Sequence, residues 1–168
     1  MDKLILPGKF IVPENYTTHD FYFTVLEPSL TNIDYEAVMS SQERLRKVFR
    51  PNDSWPAQEM TVAENTKDLI RHASEFKQKK AFAYSVYTKN KDDYIGCIYI
   101  NPTLNKDYNC EVYLWVKDSR IDLDEKLFQQ TKKWLDEYWK LKCVAYPGRD
   151  IPWLSLIHIS EPTRPERM

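Results

Sequence analysis

The chain is poor in glycine: only Gly8, Gly96 and Gly148 occur among its 168 residues. Glycine lets the backbone approach a ligand closely or adopt a positive φ angle. Its scarcity argues against the glycine-rich loops that hold phosphates, and neither a P-loop nor a dinucleotide-binding fingerprint is present. The GxSxG motif of serine hydrolases is also missing. These three classes of catalytic or nucleotide site are therefore excluded.

Long hydrophobic runs and an excess of one charge are missing as well. No apolar run approaches the roughly 20 residues of a membrane helix. The short apolar stretch at the start is interrupted by proline and does not predict a signal peptide. The 24 Lys and Arg are balanced by 25 Asp and Glu, so the charge does not indicate nucleic-acid binding. We expect a protein that binds neither membranes nor nucleic acid.

Cysteine is scarce too. Cys97, Cys110 and Cys143 each fall in an apolar, strand-like run, without a CxxC pair. No cluster of His, Cys, Asp or Glu has the spacing of metal ligands. We therefore predict buried reduced thiols, no metal and a cytoplasmic location. A reactive or metal-binding cysteine is the alternative interpretation.

Apolar and aromatic residues are abundant, at 42% and 14% of the chain, which suits one domain with a continuous core. The hydrophobic periodicity predicts a strand within 16–26, a helix over 32–49 and a helix from Thr61. Strands over 82–87, 94–100 and 110–116 follow, joined by polar turns that predict antiparallel hairpins. A helix from Asp122 and a strand over 143–146 complete the order, and this last unit predicts a parallel strand pair.

The helix from Thr61 has a clear N-terminal signal. Thr61 and Glu64 have the spacing of a capping box. Helical spacing assigns six residues to its core face: Val62, Thr66, Leu69, Ile70, Ala73 and Phe76. His72 lies at the border of this face and is predicted to be a partly buried structural histidine.

The composition changes after Trp153. The segment 154–164, LSLIHISEPTR, continues no hydrophobic period of the preceding elements, and it resembles the translation of a transposase-type sequencing adapter. We therefore predict one domain over residues 1–153 and a non-native tail over 154–168. His158 is accordingly not a candidate site residue. A natural C-terminal tail is the alternative.

The order of elements resembles the GNAT superfamily of acyl-CoA-dependent N-acetyltransferases. The segment 16–28, YTTHDFYFTVLEP, is similar to the common opening of that superfamily, with Asp20 in the place of its arginine. YIGCIYI resembles the superfamily's third strand, and CEVYLWV matches its fourth in type and spacing. The resemblance covers roughly 16–146. It implies an α/β fold of GNAT type, a mixed sheet flanked by helices and short at the C-terminus.

The resemblance also implies an acetyl-CoA site. In this superfamily the fourth strand supplies backbone groups to the pantetheine arm, a role that falls here on Leu114, Trp115 and Val116. A glycine-rich turn then holds the pyrophosphate at a helix N-terminus. The corresponding turn here, KDSRIDLDE, has no glycine. We therefore expect side chains to bind the phosphates instead; the candidates are Lys117, Arg120 and Lys126.

A further implication concerns catalysis. An alkylammonium cannot attack a thioester until it loses its proton, so an N-acetyltransferase needs a base. Glu111 lies in the fourth strand, on the same face as Tyr113 by the two-residue period, and is the expected base. A strand carboxylate with a purely structural role is the alternative.

The acceptor is expected to be an amine on a small molecule or a peptide, with Trp55, Tyr113 and Arg149 on the substrate side. Trp55 is alternatively a plug over the core, and Arg149 is alternatively part of a segment that closes the sheet edge. The missing glycines keep a second function open, a non-catalytic GNAT-fold module that binds a ligand or partner. The sequence identifies neither the acceptor nor an oligomeric state.

Overall fold

A computed structural model of the chain describes residues 6, 9–50 and 53–153. Gly8 and the predicted tail, residues 154–168, lie outside the described residues. One sheet contains six strands in chain order: β1 (Asn15–Thr17), β2 (Phe21–Val25), β3 (Phe82–Thr88), β4 (Tyr94–Asn101), β5 (Cys110–Val116) and β6 (Val144–Ala145). The helices are α1 (Thr31–Met39), α2 (Gln42–Leu45), α3 (Val62–Lys77) and α4 (Asp124–Glu137). The predicted mixed sheet is confirmed, because β1 to β5 are antiparallel and β6 runs parallel to β5.

The helices cover both faces of the sheet. The face that packs against α4 is built from alternate β5 residues such as Val112 and Leu114, together with Trp134. The opposite face packs against α1 and α3, and it includes Tyr99 and Trp115. The two-residue alternation of the strands produces this division.

The strand predicted within 16–26 is confirmed as β2, but the preceding strand β1 was not predicted. The two strands form a hairpin, which turns at Thr18–His19–Asp20. The Thr18 N–H donates to the Phe21 carbonyl at 2.8 Å, and the Phe21 N–H donates to the Thr18 hydroxyl at 3.1 Å. Polar residues at these positions stabilise a turn with their own side chains. The aromatic run by itself predicts only the strand that follows the turn.

The single helix predicted over 32–49 is also wrong, because the chain bends between α1 and α2. The Ser40 hydroxyl donates to the Ala37 carbonyl at 3.0 Å, and the Ser41 hydroxyl accepts the Asp118 N–H at 2.7 Å. Serine side chains compete with the helical backbone in this way. The bend directs Arg44 of α2 at the end of β5, where it donates to the Val116 carbonyl.

The start of α3 is confirmed. The Thr61 hydroxyl accepts the Glu64 N–H at 3.1 Å, and the Glu64 carboxylate accepts the Thr61 N–H at 2.9 Å. The predicted core face is only partly right, because Val62 and Ile70 are 40% and 53% exposed. The buried face is rotated toward Asn65, whose side-chain amide donates a hydrogen bond to Asp34 of α1 at 3.0 Å.

One further boundary and the exposure of the cysteines differ from the predictions. The helix predicted from Asp122 begins later: a 3-10 turn over Asp118–Leu123 precedes α4. Of the three free cysteines, Cys97 and Cys110 are buried but Cys143 is exposed, which corrects the prediction of three buried thiols, because the last strand is only two residues long. No helix within the described ranges is long and apolar enough to cross a membrane.

Candidate active site

A cavity of about 280 Å³ lies between α1, α3 and β4, and we call it the α3 cavity. Its walls are formed by Leu26, Asp34, Phe49, Trp55, Asn65, Asp68, Leu69, Arg71, His72, Glu75, Tyr99 and Asn101. Residues 65, 68, 72 and 75 recur at helical spacing, so one face of α3 forms a whole side of the cavity.

Asp34 is the most deeply buried carboxyl group of the α3 cavity, with 4% of its surface exposed. Its carboxylate accepts hydrogen bonds from the Tyr94 hydroxyl and, at 3.0 Å, from the Asn65 amide. None of the ion pairs formed by the described residues includes Asp34. Burial raises the pKa of Asp34, and burial is also the main cause that raises the pKa of Asp68.

Aromatic rings also line the α3 cavity. The Phe49 ring lies 5.6 Å from Trp55 and 5.1 Å from Tyr99, centroid to centroid. The His72 ring lies 5.3 Å from Tyr99, and its burial, with a smaller effect of Arg71, lowers the His72 pKa to about 4. His72 is therefore neutral at pH 7, and it is partly buried as predicted.

Glu111 lies beside this cavity. It is directly opposite Asn101, a wall residue, in the β4–β5 ladder. One Glu111 oxygen accepts the Thr103 hydroxyl at 2.6 Å and the other accepts the Tyr113 hydroxyl at 2.8 Å. Tyr113 in turn packs 5.0 Å from Phe49. Two hydroxyl donors thus orient the carboxylate next to the α3 cavity.

A second, smaller space opens where β5 and the chain after β6 diverge, and we call it the β5 crevice. Only two residue pairs join the two strands, and beyond them lies a space of about 230 Å³. It is lined by Arg44, Lys47, Val48, Tyr113, Leu114, Asp124, Pro147, Gly148, Arg149 and Trp153. Tyr113 thus lines the β5 crevice while it contacts Phe49 of the α3 cavity.

Two arginines hold the β5 carbonyls that face the β5 crevice. Arg149 donates to the Leu114 carbonyl at 3.1 Å and, through both terminal nitrogens, to the Asp124 carboxylate at 2.8 and 2.9 Å. Arg44 donates to the Val116 carbonyl. The Trp115 side chain is instead fully buried on the α1–α3 face, where its indole N–H donates to Tyr99 at 2.9 Å.

Ion pairs join the turn after β5 to the connection between β3 and β4. Lys117 and Arg120 lie 2.9 and 2.6 Å from the carboxylate of Asp93. Partial burial raises the pKa of Asp93, but the hydrogen bonds from both cations more than offset this, and the net pKa is lowered. Lys126 is exposed on α4.

This turn does not fit a pyrophosphate. It contains no glycine, and the N–H groups of Lys117 and Asp118 already donate to Ile95 and Ser41, at 2.7 Å each. The β5 crevice is lined by three cations, Arg44, Lys47 and Arg149; Arg44 is paired with Asp118 and Arg149 with Asp124.

Sequence reasoning missed the carboxylates of the α3 cavity. The apolar period of each helix predicts which apolar residues are buried, and it does not predict that Asp34 and Asp68, at polar positions, line a cavity. The signal was present in α3, where Asn65, Asp68 and His72 follow one another at spacings of three and four residues. Within the described ranges, no group of three or more His, Cys, Asp or Glu side chains has an arrangement suited to a metal ion.

Comparison with known proteins gives matches only at the level of structure. No protein family and no curated protein matches the sequence. A putative ribosomal-protein-serine acetyltransferase from Vibrio cholerae is similar with a TM-score of 0.61 and 11% identity, over 87% of this chain and 81% of that one. A microcin C7 self immunity acetyltransferase, solved with acetyl-CoA and AMP, has a TM-score of 0.61 and 10% identity, over 78% and 71%.

A third structure, spermidine N-acetyltransferase from Vibrio cholerae with coenzyme A and spermine, has a TM-score of 0.54 and 8% identity, over 76% of this chain and 70% of that one. Identities this low establish the fold alone. The chain therefore has the mixed-sheet fold of the GNAT-type acetyltransferases, and the predicted fold class is confirmed.

Proposed function

We propose that the protein is an N-acetyltransferase that moves an acetyl group from acetyl-CoA to an amine. The observation that carries this proposal is the position of Glu111, whose carboxylate is oriented by Thr103 and Tyr113. Its partner in the sheet, Asn101, lines the α3 cavity, and Tyr113 lines the β5 crevice. The acetyltransferase fold supports the proposal. One space is then available to each of the two substrates.

Glu111 acts as the general base in this proposal. Bound acetyl-CoA supplies the thioester carbonyl that the amine attacks. An alkylamine is protonated at neutral pH, since its pKa lies near ~10, and Glu111 removes the proton directly or through one water. The hydroxyls of Thr103 and Tyr113 hold the carboxylate in place, and Trp55 lines the acceptor side.

The acetyl-CoA site is proposed to lie in the β5 crevice. The carbonyls of Leu114 and Val116 face it, so an amide of the ligand can bind there only after the arginine side chains move aside. We infer that Arg44, Lys47 and Arg149 then face the phosphates, because charge-assisted hydrogen bonds are the strong ones. Lys117, Arg120 and Lys126 are the further candidates; Asp93 pairs with Lys117 and Arg120, as Asp118 pairs with Arg44 and Asp124 with Arg149.

The test is a pair of measurements on the full chain: acetyl-CoA binding by calorimetry, and release of free thiol with a panel of amines. Glu111→Gln is expected to lower turnover by about 10²- to 10⁴-fold, the usual contribution of a general base, with acetyl-CoA affinity unchanged. Glu137→Gln, an exposed carboxylate on α4, is the matched control and should leave turnover unchanged. Absence of acetyl-CoA binding at millimolar concentration contradicts the proposal, and unchanged turnover of Glu111→Gln removes Glu111 from it.

A non-catalytic GNAT-fold binding module is the second candidate. It is favoured by the occupied carbonyls of β5 and by the turn whose cations are paired with Asp93. This candidate predicts ligand binding in the α3 cavity without any acetyl-CoA binding, so the same calorimetry distinguishes the two.

Two further assignments are proposals of the same kind. We infer a single domain over residues 1–153, supported by one sheet that contains all six strands of the described chain. We also infer a cytoplasmic location, supported by the exposed free thiol of Cys143, because exposed thiols persist in reducing compartments.

A further inference from the structure

We propose that the α3 cavity binds a small alkyl diamine, a molecule with two ammonium groups on one aliphatic chain. That the diamine is the acetyl acceptor rests on the proposed function. That the cavity binds a diamine follows from the charges, the aromatic walls and the dimensions of the cavity.

The charges of the cavity select a cation. Three carboxylates, Asp34, Asp68 and Glu75, face one guanidinium, that of Arg71. Arg71 is 56% exposed and lies 3.9 Å from Asp68 and 3.5 Å from Glu75, so it neutralises them only weakly. Asp34 is 4% exposed and has no cationic partner among the described residues. Burial disfavours the ionised form of the Asp34 carboxyl group, and a bound ammonium group supplies the countercharge that stabilises this form.

The aromatic walls favour an organic cation over a metal ion. Phe49, Trp55 and Tyr99 line the cavity together with the carboxylates. An ammonium near an aromatic face gains cation–π attraction, while the alkyl chain covers apolar surface such as Leu69. A metal ion would instead need a cluster of donor atoms, and the described residues offer none.

The arrangement of the carboxylates calls for two charges. Asp68 and Glu75 are separated by about two turns of α3, or roughly 10 Å along the helix axis. Asp34 approaches the cavity from α1, bound to Asn65 of the next turn. One ammonium group can therefore lie near Asp34 and Asp68 while the other end of the chain extends along the cavity.

The free end of such a ligand is directed toward the base. Asn101 lines the cavity and lies directly opposite Glu111 in the sheet, where paired side chains are about 5 Å apart. The volume of about 280 Å³ lies at the small end of the range for ligand pockets. It suits a short linear diamine or the end of a longer polyamine.

The test uses calorimetry on the full chain without acetyl-CoA, so that it is independent of acetyl transfer. The probes are 1,4-diaminobutane, butylamine and butane-1,4-diol. We expect 1,4-diaminobutane to bind at least tenfold more tightly than butylamine and the diol not to bind. Asp68→Asn and Asp34→Asn should each weaken diamine binding at least tenfold. Asp107→Asn, an exposed carboxylate in the β4–β5 connection, is the control and should bind like the wild type.

Proton NMR of the histidine rings locates the ligand, because the chain has only three histidines. The diamine should shift the ring signals of His72 in the cavity and leave those of His19, whose side chain is 89% exposed, unchanged. If Asp34→Asn does not fold, Asp68→Asn on the surface side of α3 still decides the question.

The outcomes separate this inference from the proposed function. Diamine binding without acetyl transfer supports the cavity assignment and contradicts the transferase. Acetyl transfer to other amines without diamine binding contradicts the cavity assignment alone. Equal binding of diamine and diol, or a diamine that shifts His19 and not His72, also overturns it.

Discussion

Burial determines the protonation state of His72. Its ring lies against Tyr99 in the wall of the α3 cavity, where water cannot stabilise an imidazolium. Desolvation, reinforced by the charge of Arg71, lowers its pKa from 6.5 to about 4. At neutral pH the ring therefore adds no positive charge to a cavity whose other ionisable groups are mostly acidic.

The His72 pKa predicts a pH dependence of stability. Between pH 6.5 and about 4 the unfolded chain binds a proton at this residue and the folded chain does not. The free energy of unfolding should therefore fall as the pH is lowered through this window, by up to about 3 kcal/mol from this residue. The measurement is urea unfolding at pH 7 and pH 5 of the wild type and of His72→Phe, which retains an aromatic ring.

The comparison with His72→Phe is needed because Asp34 has the opposite effect. Its raised pKa makes the folded state bind a proton more readily, so its contribution falls as the pH rises. The wild type should lose more stability between pH 7 and pH 5 than His72→Phe does. His19→Phe, at an exposed turn, is the control and should match the wild type; the same pH dependence in all three proteins would contradict the lowered pKa.

The pairing of β4 with β5 depends on Gly96. A Cβ atom at this position would lie 1.9 Å from the Trp115 carbonyl oxygen. The obstacle is backbone in the middle of a sheet, which cannot rotate away as a side chain can. The absence of a side chain therefore lets β5 lie in register and hold Glu111 opposite Asn101.

Gly96→Ala is accordingly expected to destabilise the protein by about 3 kcal/mol, the upper range for overpacking a core. Urea unfolding measures the change. Ser85→Ala in the neighbouring strand β3 is the control, because it removes one hydrogen bond to Thr24 at 2.9 Å and should cost about 1 kcal/mol. If the two variants lose equal stability, the close approach of β4 and β5 is wrong.

Element types were predictable wherever local physics determines them. The bounds of β5 and the capping box of α3 follow from a period of two and from the pair Thr61 and Glu64. The bend between α1 and α2 was not predictable in the same way, because the Ser41 hydroxyl accepts an N–H from Asp118, distant in sequence. The buried face of α3 was missed for a related reason. Asn65 can be buried because its amide donates to the Asp34 carboxylate, which lies in another helix.

At the scale of the whole molecule, Arg149 joins three parts of the fold. Its guanidinium connects the segment after β6 to the Leu114 carbonyl of β5 and to Asp124 at the start of α4. Both side chains of the ion pair are 23% exposed, so the pair is partly shielded from water. Arg149 therefore connects the two sides of the β5 crevice.

A double-mutant cycle tests this connection. Arg149→Ala and Asp124→Ala should each lower the free energy of unfolding by about 2 kcal/mol, and the double variant should lose clearly less than their sum. The cycle of Lys142 and Asp136, whose side chains are 66% and 55% exposed, is the control and should give a coupling of at most about 0.5 kcal/mol. A coupling for Arg149 and Asp124 no larger than this would contradict the stabilising role of their ion pair.

By itself, the sequence determined the α/β fold class, the order of its main elements and the face of β5 that carries Glu111. These follow from periodicity and from interactions between residues close in the chain. The glycine-free turn after β5 was equally plain in the sequence. Only the tertiary structure decided the partners of these charges. Lys117 and Arg120 of the turn form ion pairs with Asp93, and Arg149 donates to the Leu114 carbonyl. Likewise, the α3 cavity exists only because α1, α3 and β4 bring Asp34 and Asp68 together. The role of a charged side chain depends on the groups close to it in space, and a local sequence pattern does not identify groups that are distant in the chain.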